Sequence, residues 1–269
     1  MTNTVILFRG SLAEDTELFI AKQYFRNKIY SNRTAIPSNS IVIGRYSVLP
    51  FYQELEDDLK LHGSRLINSY SQHRFVADIS NWYPNLREYT PRTWLSLQEW
   101  IEDPVKDSIE NFVLKGYINS RKQLWNTHMF AISKDVTTVW NRLMDDSMIS
   151  EQGVCIREYI PLLSIKGDFS EVKEEYRFFI LNNKVIASGF YWSNHADEIA
   201  FSPISPESVP DIWLSDIKEI VSANCNFYTI DVGFTKSGEP ILIELNDGQM
   251  AGLSCCDTDT FYKELSNGK

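Results

Sequence analysis

Two acidic residues and an amide lie inside apolar strands near the end of this sequence. Residues 227–248, FYTIDVGFTKSGEPILIELNDG, contain two apolar runs on either side of a polar turn, and this pattern predicts a β-hairpin. Asp231 falls in the first run, and Glu244 and Asn246 fall in the second. Because strand side chains alternate between two faces, these three polar residues are predicted to share one face and the aliphatic residues the other.

The position of the turn predicts how the two strands pair. Symmetry about the turn gives three directly opposed pairs: Asp231 with Glu244, Val232 with Ile243, and Ile230 with Leu245. Opposed Cβ atoms lie roughly 4.5–5.5 Å apart, and two carboxylates that close repel each other unless a cation lies between them. Mg²⁺ takes one or two carboxylates and completes its shell with waters and phosphates. The hairpin therefore predicts either a magnesium site or a strand face exposed to solvent.

Charged residues also interrupt three other apolar runs. Arg177 lies within EEYRFFI, where a cation either pairs with a nearby acid or binds a phosphate. Lys115 ends the run NFVLKG, where its ammonium either reaches a phosphate or extends to solvent. Arg157 and Glu158 interrupt the strand VCIREYIPL, whose backbone could meet the edge of an adenine.

The predicted elements divide the chain into halves of different type. Up to about residue 80, the strands TVILF, SIVIGRY and RLINSY alternate with helices, which indicates a small α/β unit. NWYPNLREYTPRTW contains two prolines and is predicted to be a connector. Beyond it, hairpins at 171–192 and 227–248 predict mainly antiparallel strands covered by helices, and Asn182-Asn183 suits a tight turn in the first hairpin.

The composition excludes several classes of protein. The 269 residues are 43% hydrophobic and 13% aromatic, which is typical of a packed globule rather than a disordered chain. A net charge of −10 argues against wrapping duplex nucleic acid, although it leaves room for a local basic groove. Apolar runs are too short for a signal peptide or a membrane span, so a cytoplasmic protein is expected. The four cysteines lack zinc-ligand spacing and are interpreted as reduced structural thiols.

The order of these pieces resembles the ATP-grasp superfamily. It runs from the lysine strand and a flexible loop to the hinge strand REYI, then to EYRFFI…KVIASG, and finally to IDVGFTKSGEPILIELN. The last element is similar to the family's paired metal-binding strands. The likeness is to a short clade of bacterial and phage proteins of unassigned substrate, and more distantly to a eukaryotic member that assists translation-factor assembly. It covers about residues 110–250 well and the segment 40–80 loosely.

The resemblance implies a fold of mixed α/β and α+β class, in which an N-terminal α/β domain precedes the ATP-grasp fold. The implied units are residues 1–90 for this pre-ATP-grasp domain, 91–155 for the N-terminal ATP-grasp sub-domain and 156–269 for the C-terminal sub-domain. ATP and Mg²⁺ are the implied cofactors.

The resemblance also implies a role for each site residue. Lys115 would contact the ATP phosphates, and Lys122, in the loop NSRKQLW, is similar to a second phosphate ligand. Arg177 would act catalytically at the γ-phosphate or the acyl-phosphate. The residues implied to line the adenine hinge, mostly through backbone, are Glu158, Tyr159 and Ile160. The implied metal ligands are Asp231, Glu244 and Asn246. Many members have a further phosphate-binding lysine upstream, but no lysine occurs from 61 to 105, and Arg74 is a candidate substitute.

The implied function is a Mg·ATP-dependent ligase. ATP would phosphorylate a carboxylate, and an amine would attack the acyl-phosphate to give an amide. Such a reaction needs no protein nucleophile, which fits the scattered histidines and the lack of a Ser/His/Asp set. Peptide or protein carboxylates are favoured as substrates by analogy with the family. The alternative is an ATP-binding assembly factor without ligase activity; nucleotidyl transfer lacks a KxDG-like lysine motif. Neither a membrane nor a nucleic acid is expected as a partner.

A carboxylate-binding site is predicted beside the nucleotide. The segment 247–257, DGQMAGLSCCD, leaves the metal strand and contains small residues that allow close approach of a ligand. Arg9 and Arg45 end two strands of the N-terminal unit, where they either bind a carboxylate or make ordinary ion pairs. The acceptor is therefore predicted to bind between the N-terminal unit and residues 247–257.

Overall fold

The computed structural model describes residues 3–8, 16–45, 51–166, 171–195 and 204–268. Within these ranges the strands are β1 (Asn3–Phe8), β2 (Ile29–Tyr30), β3 (Ser40–Arg45), β4 (Arg65–Leu66), β5 (Thr93–Trp94), β6 (Asn111–Gly116), β7 (Phe130–Ile132), β8 (Val154–Glu158), β9 (Ser164–Lys166), β10 (Glu171–Lys173), β11 (Glu175–Leu181), β12 (Lys184–Phe190), β13 (Phe227–Phe234) and β14 (Pro240–Asp247). The α-helices are α1 (Thr16–Phe25), α2 (Tyr52–Leu61), α3 (Tyr70–Ala77), α4 (Ile79–Leu86), α5 (Leu97–Glu102), α6 (Val136–Met144), α7 (Ser147–Ser150), α8 (Asp211–Ser222) and α9 (Thr258–Asn267).

A parallel sheet with the order β2-β1-β3-β4 forms the N-terminal part of the fold. Alternate residues of β1 point to opposite faces: Val5 packs in a cluster with Tyr52 and Leu55 of α2, whereas Ile6 packs in a cluster with Phe25 of α1. Helices therefore cover both faces, which explains why the strands of this sheet are continuous apolar runs. The α/β unit predicted for this region is confirmed.

A second sheet has the order β5-β8-β6-β7 and is antiparallel. One face of β6 carries Phe112 and Leu114, which pack against the apolar stripe of α6. The other face carries Val113 and Lys115, which line a cavity. The period-two alternation of β6 thus separates a core-facing surface from a functional surface.

The third sheet is antiparallel, with the order β12-β11-β13-β14. Even-numbered residues of β11 and β13, such as Phe178 and Ile230, pack in one cluster with Ile217 of α8 and Trp82 of α4. Odd-numbered residues of β11 face the other side, where Phe179 packs in a cluster with α9. Every residue of β13 is buried, although the strand carries a carboxylate. The Asn-Asn turn between β11 and β12 adopts positive φ at both positions, as predicted.

The predicted connector is wrong over its first part, because residues 79–86 form α4. Its apolar residues follow the spacing i, i+3, i+4 and i+7, and all four are buried: Ile79, Trp82, Tyr83 and Leu86. The side chain of Asp78 caps the helix by accepting a hydrogen bond from the Ser80 amide. Burial of this apolar face outweighs the cost of Pro84 inside the helix.

The sheets also bear on the proposed division into units 1–90, 91–155 and 156–269. Strand β8 spans the position between 155 and 156 and pairs with β5 and β6 of the second sheet. We therefore propose a division of this kind, with the hinge after β8 rather than within it. No helix in the described ranges is both long enough and apolar enough to cross a membrane. The four cysteines are free thiols.

Candidate functional site

A cavity of about 620 Å³ lies where the second and third sheets face each other. Six of the nine predicted site residues line it: Lys115, Lys122, Glu158, Tyr159, Ile160 and Glu244. The other three, Arg177, Asp231 and Asn246, lie on the third sheet close to Glu244. Residues far apart in the sequence thus meet at one site.

One part of the cavity wall is apolar and aromatic. It contains Val113 of β6, Leu162 beyond β8 and Ile243 of β14. The ring of Tyr159 lies edge-on to Phe130, with centroids 5.3 Å apart, and this packing fixes the tyrosine at the cavity wall. A flat apolar ligand of moderate size suits this part of the cavity.

The hinge segment after β8 has part of its backbone already hydrogen-bonded. The Glu158 amide donates to the Arg92 carbonyl at 2.9 Å, and the Tyr159 amide donates to the Asn111 carbonyl at 2.9 Å. A ligand that meets the backbone here would therefore use other amides or carbonyls of this segment. The side chain of Arg157 is also committed, because it donates to the Ile243 carbonyl and to the Thr90 hydroxyl.

The other part of the site is a row of charges across three adjacent strands. Arg177 of β11 lies directly opposite Asp231 of β13, which in turn lies directly opposite Glu244 of β14. Arg177 donates from Nε and Nη2 to the two carboxylate oxygens of Asp231, at 2.8 and 2.7 Å. Lys115 projects from the facing sheet and donates to Glu244. Alternating signs along the row hold three buried or half-buried charges in place.

Burial and neighbouring charges set the proton affinity of this row. Burial alone would raise the pKa of Glu244, but Lys115 and Lys122 lower it to about 2. Burial would likewise lower the pKa of Lys122, but Glu244 and Tyr191 raise it. Both groups are therefore charged at neutral pH, so the site presents a carboxylate flanked by two ammonium groups.

The predicted pairing of β13 and β14 is confirmed in part. Asp231 faces Glu244 and Ile230 faces Leu245, as expected from symmetry about the turn. The predicted pair of Val232 with Ile243 is wrong, because the register shifts immediately after Asp231 and places Val232 opposite Leu242. A β-bulge at this position twists the strand and leaves one residue unpaired, here beside the charged row.

The arrangement suits magnesium in the type of its donor atoms. Asp231 and Glu244 supply carboxylate oxygens, and the Asn246 amide is hydrogen-bonded to Glu244. The described part of the chain contains no group of three or more His, Cys, Asp or Glu side chains arranged to hold a metal. Two carboxylates and an amide match a Mg²⁺ site whose remaining ligands are waters and phosphates. The assignment of these three residues as metal ligands stays a prediction.

Sequence reasoning missed Glu175, two residues before Arg177 on the same face of β11. Its side chain lines the cavity, and the residue is only 7% exposed. Burial, together with the negative charges of Asp231 and Glu244, raises the pKa of Glu175 to about 7, although Lys122 opposes this shift. An acid within the apolar strand EEYRFFI was the signal that could have identified it.

The predicted carboxylate-binding role of Arg45 is wrong. Its guanidinium is buried, pairs with Glu17 at 2.8 Å, and donates from Nη1 to the carbonyls of Gly248, Gln249 and Ala251. The Gly44 amide also donates to the Gln249 side chain. The N-terminal sheet and residues 247–251 are thus in direct contact, and this contact fills the space predicted for an acceptor.

Two other arginines complete the outcome for the predicted residues. Arg9 lies outside the described residues. Arg74 pairs with Asp78 and is not part of the cavity wall, so its predicted substitution for the upstream phosphate lysine finds no support in the geometry.

Similar solved structures define the class of fold. D-cycloserine synthetase DcsG has a TM-score of 0.63 at 10% identity, with 98% of each chain covered. ATP-grasp ligase PsnB, complexed with a minimal precursor, Mg and ADP, has a TM-score of 0.58 at 11% identity, covering 100% of this chain and 98% of PsnB. D-alanine–D-alanine ligase from Bacillus anthracis, complexed with ATP, has a TM-score of 0.53 at 15% identity, covering 91% and 84%. The fold is the ATP-grasp fold.

The family follows from the sequence. The chain belongs to an ATP-grasp domain family, family 3 of its clade, and the match covers residues 97–265. No curated protein matches the chain.

Proposed function

We propose that this protein is a Mg·ATP-dependent ligase that activates a carboxylate as an acyl-phosphate and joins it to an amine. The observation that carries the proposal is the cavity in which Lys115, Lys122 and Glu244 meet the hinge residues Glu158 to Ile160. An apolar slot beside a cluster of cations and carboxylates suits a nucleotide base at one end and metal-bound phosphates at the other. Membership of the ATP-grasp family supports the same assignment.

The cations that would bind the phosphates are held by carboxylates in the nucleotide-free protein. Lys115 is paired with Glu244, and Arg177 is paired with Asp231. In the proposed complex, Lys115 and Lys122 bind ATP phosphates and Arg177 acts at the γ-phosphate or the acyl-phosphate. Asp231, Glu244 and Asn246 hold Mg²⁺, which when bound neutralises phosphate charge. Exchange of one set of charge partners for another keeps the buried charges compensated in both states.

The proposed reaction needs no protein nucleophile. A substrate carboxylate oxygen attacks the γ-phosphorus of ATP, the bond from phosphorus to the β,γ-bridging oxygen breaks, and ADP leaves. The amine then forms a C–N bond to the acyl-phosphate carbon, and phosphate leaves. The residues contribute positioning and charge stabilisation, with Arg177 on the side of the third sheet that carries Asp231. A peptide or protein carboxylate is the proposed substrate class, and the PsnB complex with its precursor supports it by likeness.

A screen of carboxylate and amine pairs, scored for ADP and for AMP, tests the proposal. A productive pair should release ADP and phosphate in equal amounts, and mass spectrometry should show an amide product. Tight ATP binding with no ADP release from any pair would instead favour an ATP-binding assembly factor. Release of AMP would refute acyl-phosphate chemistry.

A further inference from the structure

A buried carboxylate on the cavity wall has no partner in the nucleotide-free protein. Glu175 is 7% exposed and lines the cavity. Its backbone carbonyl accepts a hydrogen bond from the Tyr191 amide at 2.9 Å. Among the described residues, no hydrogen bond or ion pair reaches its carboxylate oxygens, in contrast to Asp231 and Glu244, which are both paired with cations. A buried acid without a partner is costly unless the functional state supplies one.

The surroundings of Glu175 already hold an ammonium group. Nζ of Lys122 donates to the Tyr191 hydroxyl at 2.9 Å and lies 4.8 Å from the centre of the Tyr191 ring. The same nitrogen lies 5.8 Å from the centre of the Trp192 ring. Aromatic faces and nearby carboxylates are the groups that attract an alkylammonium ion. We call Glu175, Tyr191 and Trp192 the ammonium corner.

Lys122 is weakly held in this corner. It is solvent-exposed, it lies in the segment between β6 and β7, and its one hydrogen bond among the described residues is to Tyr191. The proposed function requires Lys122 to bind a phosphate, and a lysine that binds a phosphate leaves the corner without its cation. The corner then offers a carboxylate and two aromatic rings to another ammonium group.

We propose that the ammonium corner binds the protonated amine of the second substrate, with Glu175 as its carboxylate partner. This inference rests on the proposed ligase function, which requires an amine to enter beside the acyl-phosphate. Lys122 would occupy the corner until nucleotide binds, so that the amine site opens only in the nucleotide-bound protein. Order of binding is thereby built into the site.

The proton balance of the reaction fits a carboxylate at this position. The amine enters as R–NH₃⁺ and transfers one proton to the carboxylate of Glu175, which frees the nitrogen lone pair. That lone pair attacks the acyl carbon, the C–N bond forms, and the bond from carbon to the phosphate oxygen breaks. The second proton leaves with the departing phosphate, giving a neutral amide and HPO₄²⁻.

Binding of n-butylammonium, titrated by ligand-observed NMR, tests the proposal on the full chain. Uncharged 1-butanol is the matched ligand control. Butylammonium should bind the protein saturated with Mg²⁺ and AMPPNP, and Glu175→Gln should weaken this binding about tenfold or more, because a hydrogen bond to a charged group is lost. Glu219→Gln, at an exposed position of α8, is the matched variant and should have no effect.

Lys122→Met separates this inference from the proposed function, since it empties the corner without nucleotide. The nucleotide-free variant should bind butylammonium at least about tenfold more tightly than the nucleotide-free wild type. If the wild type fails to bind AMPPNP, the proposed function is refuted, while this variant still tests the corner. Equal binding of butylammonium and butanol, or equal binding by the wild type and Glu175→Gln, would overturn the inference.

Discussion

Replacement of Glu175 by glutamine should stabilise the nucleotide-free protein, and only above neutral pH. Burial and the charges of Asp231 and Glu244 raise the pKa of this carboxyl from 4.5 to about 7. The unfolded chain therefore loses this proton near pH 4.5, whereas the folded chain keeps it until about pH 7. Between these values the unfolded state binds fewer protons, so the stability of the wild type falls as pH rises through this window.

The expected size follows from the shift. Each pKa unit corresponds to about 1.4 kcal/mol, so a shift of this size costs about 3 kcal/mol once the group is ionised in both states. Glutamine has the same shape and no charge, and the Glu175→Gln variant should escape this cost. The gain in the free energy of unfolding should thus be small at pH 4.5 and approach about 3 kcal/mol at pH 8.

Urea denaturation at both pH values measures this difference, with Glu219→Gln as the exposed control. The two glutamine variants should behave alike at pH 4.5 and differ at pH 8. Lys122 attracts the Glu175 charge, so Glu175→Gln in a Lys122→Met background should give a larger gain at pH 8. An equal effect of Glu175→Gln at both pH values, or a loss of stability at pH 8, would refute the argument that Glu175 carries an uncompensated charge.

Three further predictions concern the charged row and the packing around it. Glu244→Gln should weaken Mg²⁺-dependent ATP binding by a few kcal/mol while the fold persists, and calorimetry with and without Mg²⁺ measures this; unchanged magnesium dependence would remove Glu244 from the metal site. Arg45→Met should lower the free energy of unfolding by about 3–5 kcal/mol, because Glu17 and three carbonyls lose their buried cation; a thermal melt like that of the wild type would contradict the described contacts. Gly189→Ala should also destabilise the protein, by about 1–3 kcal/mol, since its Cβ would lie 2.6 Å from the backbone of Cys255, and urea denaturation checks this value against a control substitution at exposed Gly252, which has open space.

Local patterns in the sequence predicted the hairpin that carries Asp231 and Glu244, because a period of two and a short turn fix the pairing near the turn. The bulge after Asp231 was not predictable by counting, since no residue there marks a register shift. The partner of Asp231 was equally hidden: Arg177 lies on β11, and its position beside β13 depends on which strands neighbour each other in the folded sheet. Sequence spacing within one hairpin does not contain that information.

Two misses had readable signals. The apolar spacing of residues 79–86 matched a helix face, but the prolines were given more weight than the periodicity. Arg45 was interpreted as a surface or substrate-binding cation because it ends a strand, whereas its environment comes from residues about 200 positions later, Gly248 to Ala251. Burial of a charged side chain against distant carbonyls is a tertiary property that no local pattern reports.

Calorimetric titration of Mg·ATP and of adenosine into the wild type and into Lys115→Met tests the central claim most directly. Both ligands should bind the wild type, and ATP should bind more tightly because only ATP carries the phosphates that Lys115 is proposed to meet. Lys115→Met should weaken ATP binding roughly tenfold to a hundredfold and leave adenosine binding unchanged, because one charge-assisted contact is lost. An equal loss for both ligands would make Lys115 a structural residue, and a wild type that binds no ATP would contradict the account of this cavity as a nucleotide site.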